Sequence, residues 1–151
     1  MILGIISDTH GLLRPEAIAA LRGSDLIIHA GDVGKPEILD ELRRIAPTFA
    51  VRGNVDTAAW ASALPMTEVV EAGSLQIYVL HDLGTLDLDP QAAGFAAVIS
   101  GHSHKPLAEV RNGVLYLNPG SAGPRRFKLP ICLARLHVED GGLRYEFVDL
   151  Q

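Results

Sequence analysis

The chain has 151 residues, 48% of them hydrophobic and 21% charged, which suits one domain with a real core and rules out a disordered segment. Thirteen Lys and Arg against 18 Asp and Glu give a formal charge of −5, and no basic run is long enough to track a nucleic-acid backbone. A sequence-independent polyanion binder is disfavoured, while a local metal centre could still outweigh that field for a small phosphorylated ligand.

Met1-Ile2-Leu3-Gly4-Ile5-Ile6 is apolar, has no basic residue ahead of it and meets Ser7-Asp8 after six positions. That is too short for a signal core or a membrane span, and Leu3 to Ile6 is expected to be the first strand of a cytoplasmic protein. Pro15 opens a stretch with Ile18, Ala19 and Leu21 that Gly23 stops, the pattern of a helix with proline in its first turn. Leu26-Ile27-Ile28 is the next buried strand, and Pro36 starts a second helix with Ile38, Leu39, Leu42 and Ile45 at helical spacing. Thr48 to Val51 follows as a third strand. The first third is thus two βα units and a strand of parallel sheet, covered on both faces.

Beyond Glu68 the character changes. Glu68 to Glu71, Gly73 and Leu75 to Leu80 alternate like a hairpin, and Ala97 to Ile99, Val114 to Leu117 and Ile131 to Val138 are further strands. Glu139-Asp140-Gly141-Gly142 turns the last of these into Leu143 to Val148. One sheet would be hard pressed to hold them all, so two packed sheets with helices outside are expected. The single Cys132, inside Ile131-Cys132-Leu133-Ala134, reads as a buried small hydrophobe and not a nucleophile. Ala58 to Thr67, with Trp60 and Met66, reads as loop-rich, either packing locally, lining an active edge or meeting another subunit.

Side chains able to hold a metal are concentrated at strand ends. Asp8 and His10 follow the first strand, Asp32 the second, Asn54 the third, His81 the Leu75 to Leu80 strand, and His102 and His104 the Ala97 to Ile99 strand. Groups at the C-terminal ends of parallel strands converge at one edge, where open sheets place their ligands. Asp8-Thr9-His10 and His102-Ser103-His104 put two ligands at i and i+2, which share a side in extended backbone. Gly31, Gly53 and Gly101 stand immediately before Asp32, Asn54 and His102, permitting tight turns or close approach. Seven donors exceed the needs of one four-coordinate zinc, whereas two ions sharing a carboxylate could use them all. Two divalent ions against Asp8 and Asp32 leave a surplus of about +2, suited to a phosphate ester. His29 is expected to hold Asp32 or the backbone in place, and His137 to be an ordinary strand histidine.

Ser7-Asp8-Thr9-His10-Gly11, Gly31-Asp32, Gly53-Asn54-Val55-Asp56, His81, Gly101-His102-Ser103-His104 and Asn118-Pro119-Gly120-Ser121 closely resemble the motif series of the calcineurin-like metallophosphoesterases, in particular their small phosphodiesterase branch. The resemblance runs from Met1 to about Arg126 and implies a single domain over 1–151 with the four-layer α/β/β/α sandwich of that family. It implies Asp8, His10, Asp32 and His104 around one metal and Asp32, Asn54, His81 and His102 around the other, with Asp32 bridging. Two divalent ions per chain are implied, Mn²⁺ first, with Ni²⁺, Fe or Zn²⁺ as alternatives that a mixed N and O donor set does not separate.

Two positions depart from the family pattern. Asp82 follows His81 where glycine is usual, and it could hold a water, hold the loop or change metal affinity. Val55 follows Asn54 where related phosphatases often carry a histidine that protonates the leaving group; the small phosphodiesterase branch often lacks it too. The expected activity is phosphodiester hydrolysis by in-line attack of a hydroxide bridging two metals, with Asp32, Asn54 and His10 carrying catalysis and no protein nucleophile. Arg125 and Arg126 either touch substrate phosphate or are solvated. The alternatives are a phosphomonoesterase using the same site and an inactive protein-interaction scaffold of the same fold. The expected partner is a small phosphate-ester substrate, with no stable nucleic-acid binding, no membrane, and a homo-oligomer left open.

Overall fold

Ten strands and three short α-helices follow one another in the computed structural model, which describes residues 1–151. In chain order they are β1 (Ile2–Ile6), α1 (Pro15–Leu21), β2 (Leu26–His29), α2 (Pro36–Arg43), β3 (Thr48–Ala50), β4 (Thr67–Ala72), β5 (Leu75–Leu80), α3 (Pro90–Ala93), β6 (Ala97–Ile99), β7 (Pro106–Arg111), β8 (Val114–Pro119), β9 (Cys132–Glu139) and β10 (Gly142–Asp149). Each helix begins with a proline, whose fixed φ suits the first turn and whose missing N–H has no partner to lose there. α2 ends at Arg43, so Ile45 lies past it, although it still packs on the same core.

The strands form two five-stranded sheets, ordered β10-β9-β1-β2-β3 and β4-β5-β6-β8-β7. β1, β2 and β3 run parallel, as do β5, β6 and β8, while β9 and β10 on one sheet and β4 and β7 on the other are antiparallel additions. Leu3, Ile5, Ile28 and Val51 of the first sheet face Val70, Ile77, Val79, Ile99 and Leu117 of the second in one fully buried cluster. The other face of the first sheet buries Ile6, Ile27 and Leu133 under Leu21, Leu39 and Leu42 of α1 and α2. Outside the second sheet, Tyr78, Leu80, Val98 and Val114 are covered by Leu83, Leu86, Leu88 and Phe95 from the segment around α3. The result is the expected α/β/β/α sandwich, with a thin outer layer on the second sheet. No helix is long and apolar enough to cross a membrane.

Three local features differ from expectation. β7 was not foreseen: it pairs antiparallel with β8 at the sheet edge and keeps most of its side chains exposed. The segment from Ala58 to Thr67 contains a 3₁₀ turn at Ala59–Ala63 rather than loop alone; Trp60 packs against the helix-side core and Met66 is 61% exposed. The β9–β10 turn is tighter than four residues, since Gly142 already pairs with Glu139, leaving Asp140 and a left-handed Gly141 at φ 73°. Cys132 is buried as expected, donating to the Pro119 carbonyl at 3.2 Å, and burial pushes its thiol up to about 11.

Candidate metal centre

The loops leaving β1, β2 and β3 carry Asp8, His10, Asp32 and Asn54, and those leaving β5 and β6 carry His81, His102 and His104. Because each sheet runs its parallel strands toward the same end, the two sets meet across the gap between the sheets. On one side His10 Nε2 is 3.7 Å from Asp8 Oδ1 and 3.6 Å from Asp32 Oδ2, and His104 Nε2 is 3.3 Å from Asp8 Oδ1. On the other, His81 Nε2 is 3.2 Å from Asp32 Oδ2 and 3.0 Å from Asn54 Oδ1, and His102 Nδ1 is 3.3 Å from Asn54 Oδ1. Asp32 lies between the two groups. All seven residues singled out from the sequence come together, and none lies elsewhere.

The i, i+2 pairs are not held by extended backbone, contrary to expectation. Asp8, His10, Asp32, His102 and His104 all have positive φ, between 47° and 73°, in the left-handed region that non-glycine residues avoid. Such outliers persist only where surrounding structure over-determines them, and they gather at functional sites. The glycines before Asp32, Asn54 and His102 act by close approach. A Cβ on Gly53 would strike Asp32, one on Gly101 would strike Ser7 and lie 2.6 Å from Asp8 Oδ2, and one on Gly31 would lie 2.6 Å from His81 Nδ1.

Several side chains fix this arrangement. Asp56, the last residue of the Gly53-Asn54-Val55-Asp56 motif, is buried and accepts from the backbone N–H groups of Val33, Gly34 and Gly53 at 3.0 to 3.1 Å. It thereby ties the Asp32 loop to the Asn54 loop. Asn118 donates to the Gly101 carbonyl and Ser103 Oγ and accepts from Gly120 N–H, bracing the double-histidine loop. Ser7 Oγ donates to Asp8 Oδ2 at 2.6 Å. His29 is fully buried; Gly31 N–H donates to its Nδ1, so Nε2 carries the proton and donates to Thr9 Oγ1, which donates to the Val33 carbonyl. It supports backbone and makes no hydrogen bond to Asp32. Burial lowers His29 to about 4, so it is a neutral strut. Asp82 holds its loop, accepting from Gly84 N–H at 2.9 Å, with Oδ2 4.0 Å from His102 Nε2.

The donors fit a cationic ligand. His81 Nδ1–H donates to the Ala30 carbonyl at 2.7 Å, which leaves the Nε2 lone pair facing a carboxylate oxygen and an amide oxygen. Asp8 Oδ1 and His10 Nε2 are buried without a hydrogen-bond partner, and His104 Nε2 points at the same Asp8 Oδ1. A buried carboxylate oxygen with no N–H or O–H donor, facing imidazole nitrogens, calls for positive charge. Asp8, His10 and His104, and again Asp8, Asp32 and His81, each bring their donor atoms within 4.8 Å of one another. Burial pushes Asp32 up, but His81 and the Val55 N–H more than offset it and hold the carboxyl at about 2. Asp8 is lowered in the same way, burial being overcome by His10, Ser7, His81 and His104. Asp8 raises His10, and Asp32 with the Ala30 carbonyl raises His81 against its burial. His104 is lowered, chiefly by burial.

Beside Asn54 a pocket is lined by Arg52, Met66, Thr67, Asp82 and Thr85 along with His81 and His102, so Met66 faces the candidate centre while Trp60 does not. Arg125 and Arg126 are exposed.

Residues 1–141 match the calcineurin-like phosphoesterase superfamily domain. A probable metallophosphoesterase of Methanocaldococcus jannaschii is 38% identical over 153 residues, covering 93% of this chain and 77% of its own. A solved structure described as a novel archaeal phosphodiesterase superposes with a TM-score of 0.80 at 24% identity, covering 98% of this chain and all of the other. Wild-type Vps29 of Entamoeba histolytica, complexed with Zn²⁺, superposes with a TM-score of 0.74 at 24% identity over the whole of both chains. At that identity the two structures speak to the fold alone.

Proposed function

The chain belongs to the calcineurin-like phosphoesterase superfamily, and from that premise we propose that it is a metal-dependent phosphodiesterase with a dinuclear centre. The observation that carries this reading is the convergence of seven N and O donors on the two sides of Asp32, with Asp8 Oδ1 and His10 Nε2 buried and unpartnered on one of them. Asp8, His10, Asp32 and His104 would hold one ion and Asp32, Asn54, His81 and His102 the other. Bound there, a pair of divalent cations supplies Lewis-acid polarisation of phosphoryl oxygens and a water acidic enough to attack at neutral pH. Mn²⁺ is the first candidate, ahead of Ni²⁺, Fe and Zn²⁺.

The protein's own part is positioning. The Val55 N–H aims Asp32, and the Ala30 carbonyl selects the His81 tautomer. Val55 has no proton to give and the Asp56 oxygens are taken up by three N–H groups, so the Asn54 loop offers no side-chain acid to a leaving oxygen, and His10, whose Nε2 faces both Asp8 and Asp32, serves catalysis by holding an ion. The substrate is a small phosphate ester, the 1–151 chain is one domain, and its place is the cytoplasm. The fold shared with Vps29 keeps a scaffold role as the second reading, opposed by the presence of all seven donors. The deciding experiment strips metal, adds back Mn²⁺, Ni²⁺, Zn²⁺ and Mg²⁺ separately, and compares rates on diesters and monoesters with elemental analysis. About two ions per chain and faster diester turnover are expected; one saturating ion, or monoester preference, would overturn the respective half of the reading.

A further inference from the structure

Between Ser121 and Ile131 the chain leaves the candidate centre, turns in solvent and returns to β9. The root of this excursion is fixed to the Asp8 loop itself. Ser121 Oγ donates to the Asp8 carbonyl at 3.0 Å, Ala122 N–H donates to the Ser7 carbonyl at 3.1 Å, and Gly123 lies so close to the Asp8 and Thr9 carbonyls that a Cβ would strike them. Arg14 Nη2 also donates to the Gly123 carbonyl at 3.3 Å. A turn from Arg126 to Leu129, with its N–H to carbonyl bond at 3.1 Å, closes the tip.

Nothing in the packing accounts for what this tip carries. Pro124 to Lys128 are five consecutive exposed residues, three of them cations in a chain of formal charge −5. Arg125, Arg126 and Lys128 have no carboxylate within ion-pair distance. Phe127 between them is 89% exposed, more than any other large apolar side chain, and its φ of 54° is left-handed. An exposed aromatic in backbone that non-glycine residues avoid serves no core and no strand. The contacts of Ser121, Ala122 and Gly123 with the Ser7, Asp8 and Thr9 carbonyls, immediately before His10, place the turn at the rim of the centre on its His10 side.

We propose that the Arg125–Lys128 turn is a recognition rim of this site, in which Phe127 stacks on the base of a small nucleotide diester while Arg125 and Arg126 face its phosphate. A π face and guanidinium groups on one turn match the two ends of a nucleotide. One ring accommodates one base, so the ligand is of mononucleotide size and not a strand. The inference rests on the phosphodiesterase reading for the chemistry, while the binding it assigns is measured separately.

Phe127→Trp in metal-loaded protein places a fluorophore at the rim, with the unsubstituted protein, whose one tryptophan is Trp60, as the control. Titration with adenosine 5′-monophosphate is expected to quench it, with an affinity at least about tenfold above that of ribose 5-phosphate, as base–aromatic stacking commonly contributes. In parallel, kcat/KM is compared for thymidine 5′-monophosphate p-nitrophenyl ester and methyl p-nitrophenyl phosphate, which share a leaving group. The ratio is expected to exceed about ten in the unsubstituted protein and in Phe127→Tyr, and to fall toward one in Phe127→Ala. If neither ester is hydrolysed, the phosphodiesterase reading fails and the titration alone decides the rim. Equal affinity for the two phosphates, or a ratio that survives Phe127→Ala, overturns the proposal.

Discussion

Replacing Asp56 with alanine removes a buried carboxylate that ties the loops after β2 and β3 together. Its carboxylate accepts three backbone N–H bonds, two at Oδ2 and one at Oδ1, and is 3% exposed. A hydrogen bond to a charged group contributes roughly 1.5 to 3 kcal/mol, and a buried donor left unpaired costs about 1 to 3 kcal/mol. Three such bonds, discounted for the carboxylate's own desolvation and for water entering the space, give an expected loss of about 3 to 5 kcal/mol for Asp56→Ala. Asp56→Asn is the sharper probe because it keeps the volume. Its amide oxygen can keep the Val33 and Gly53 bonds, but its NH₂ then faces the Gly34 N–H, donor against donor. The expected loss is intermediate, about 2 kcal/mol. Urea unfolding at fixed metal content measures both. Losses under about 1 kcal/mol, or Asn equal to wild type, would refute the clasp.

Asp32→Asn nearly preserves volume while removing the charge between the two donor groups, and kcat/KM is expected to fall at least about 100-fold with loss of bound metal; near-normal activity and metal content in a folded variant would dismiss the bridging role. His29, lowered to about 4 by burial, stays neutral when folded but takes up a proton below about 6.5 once unfolded. The unfolded chain therefore binds more protons between those values, and stability falls as pH drops through this window by up to about 3 kcal/mol. His29→Gln should be less stable at pH 7 yet lose less between pH 7 and 4.5; parallel stability curves for the two proteins would contradict the neutral strut. Cys132, pushed up to about 11, is expected to resist a thiol reagent at pH 8 until denaturant is added, and rapid labelling of native protein would show the opposite.

The strands and the metal-capable residues were legible because each carries a strong local signal. Leu3 to Ile6 or Leu26 to Ile28 are unbroken apolar runs, and Asp8, Asp32, Asn54, His81, His102 and His104 sit where such runs stop. β7 was not legible: it begins at a proline, and as an edge strand it has no buried stripe to impose alternation. Nor was the work of Asp56, because its partners are backbone groups of Val33 and Gly34, more than twenty positions away, which no local pattern encodes. The left-handed backbone at Asp8, His10, Asp32, His102 and His104 was hidden for the same reason. Spacing in sequence reports which residues stand near one another, while dihedral angles are set by the clasps of Asp56, Asn118 and Ser7.

Asp8, His10, Asp32 and Asn54 stand on one sheet and His81, His102 and His104 on the other, and the chain passes between the sheets only from β3 to β4 and from β8 to β9. Donor spacing across the centre is therefore a caliper reading of how far apart the sheets sit, and Leu3, Ile5, Val79 and Ile99 set its jaws. A methylene trimmed there shifts the reading even though it lies well away from any reacting atom. The same trim at Leu42, under the helices, leaves it alone. Two cores of similar composition thus answer to different masters: one to stability only, the other to stability and to chemistry at once. Sequence drift should be freer beneath α1 and α2 than between the sheets.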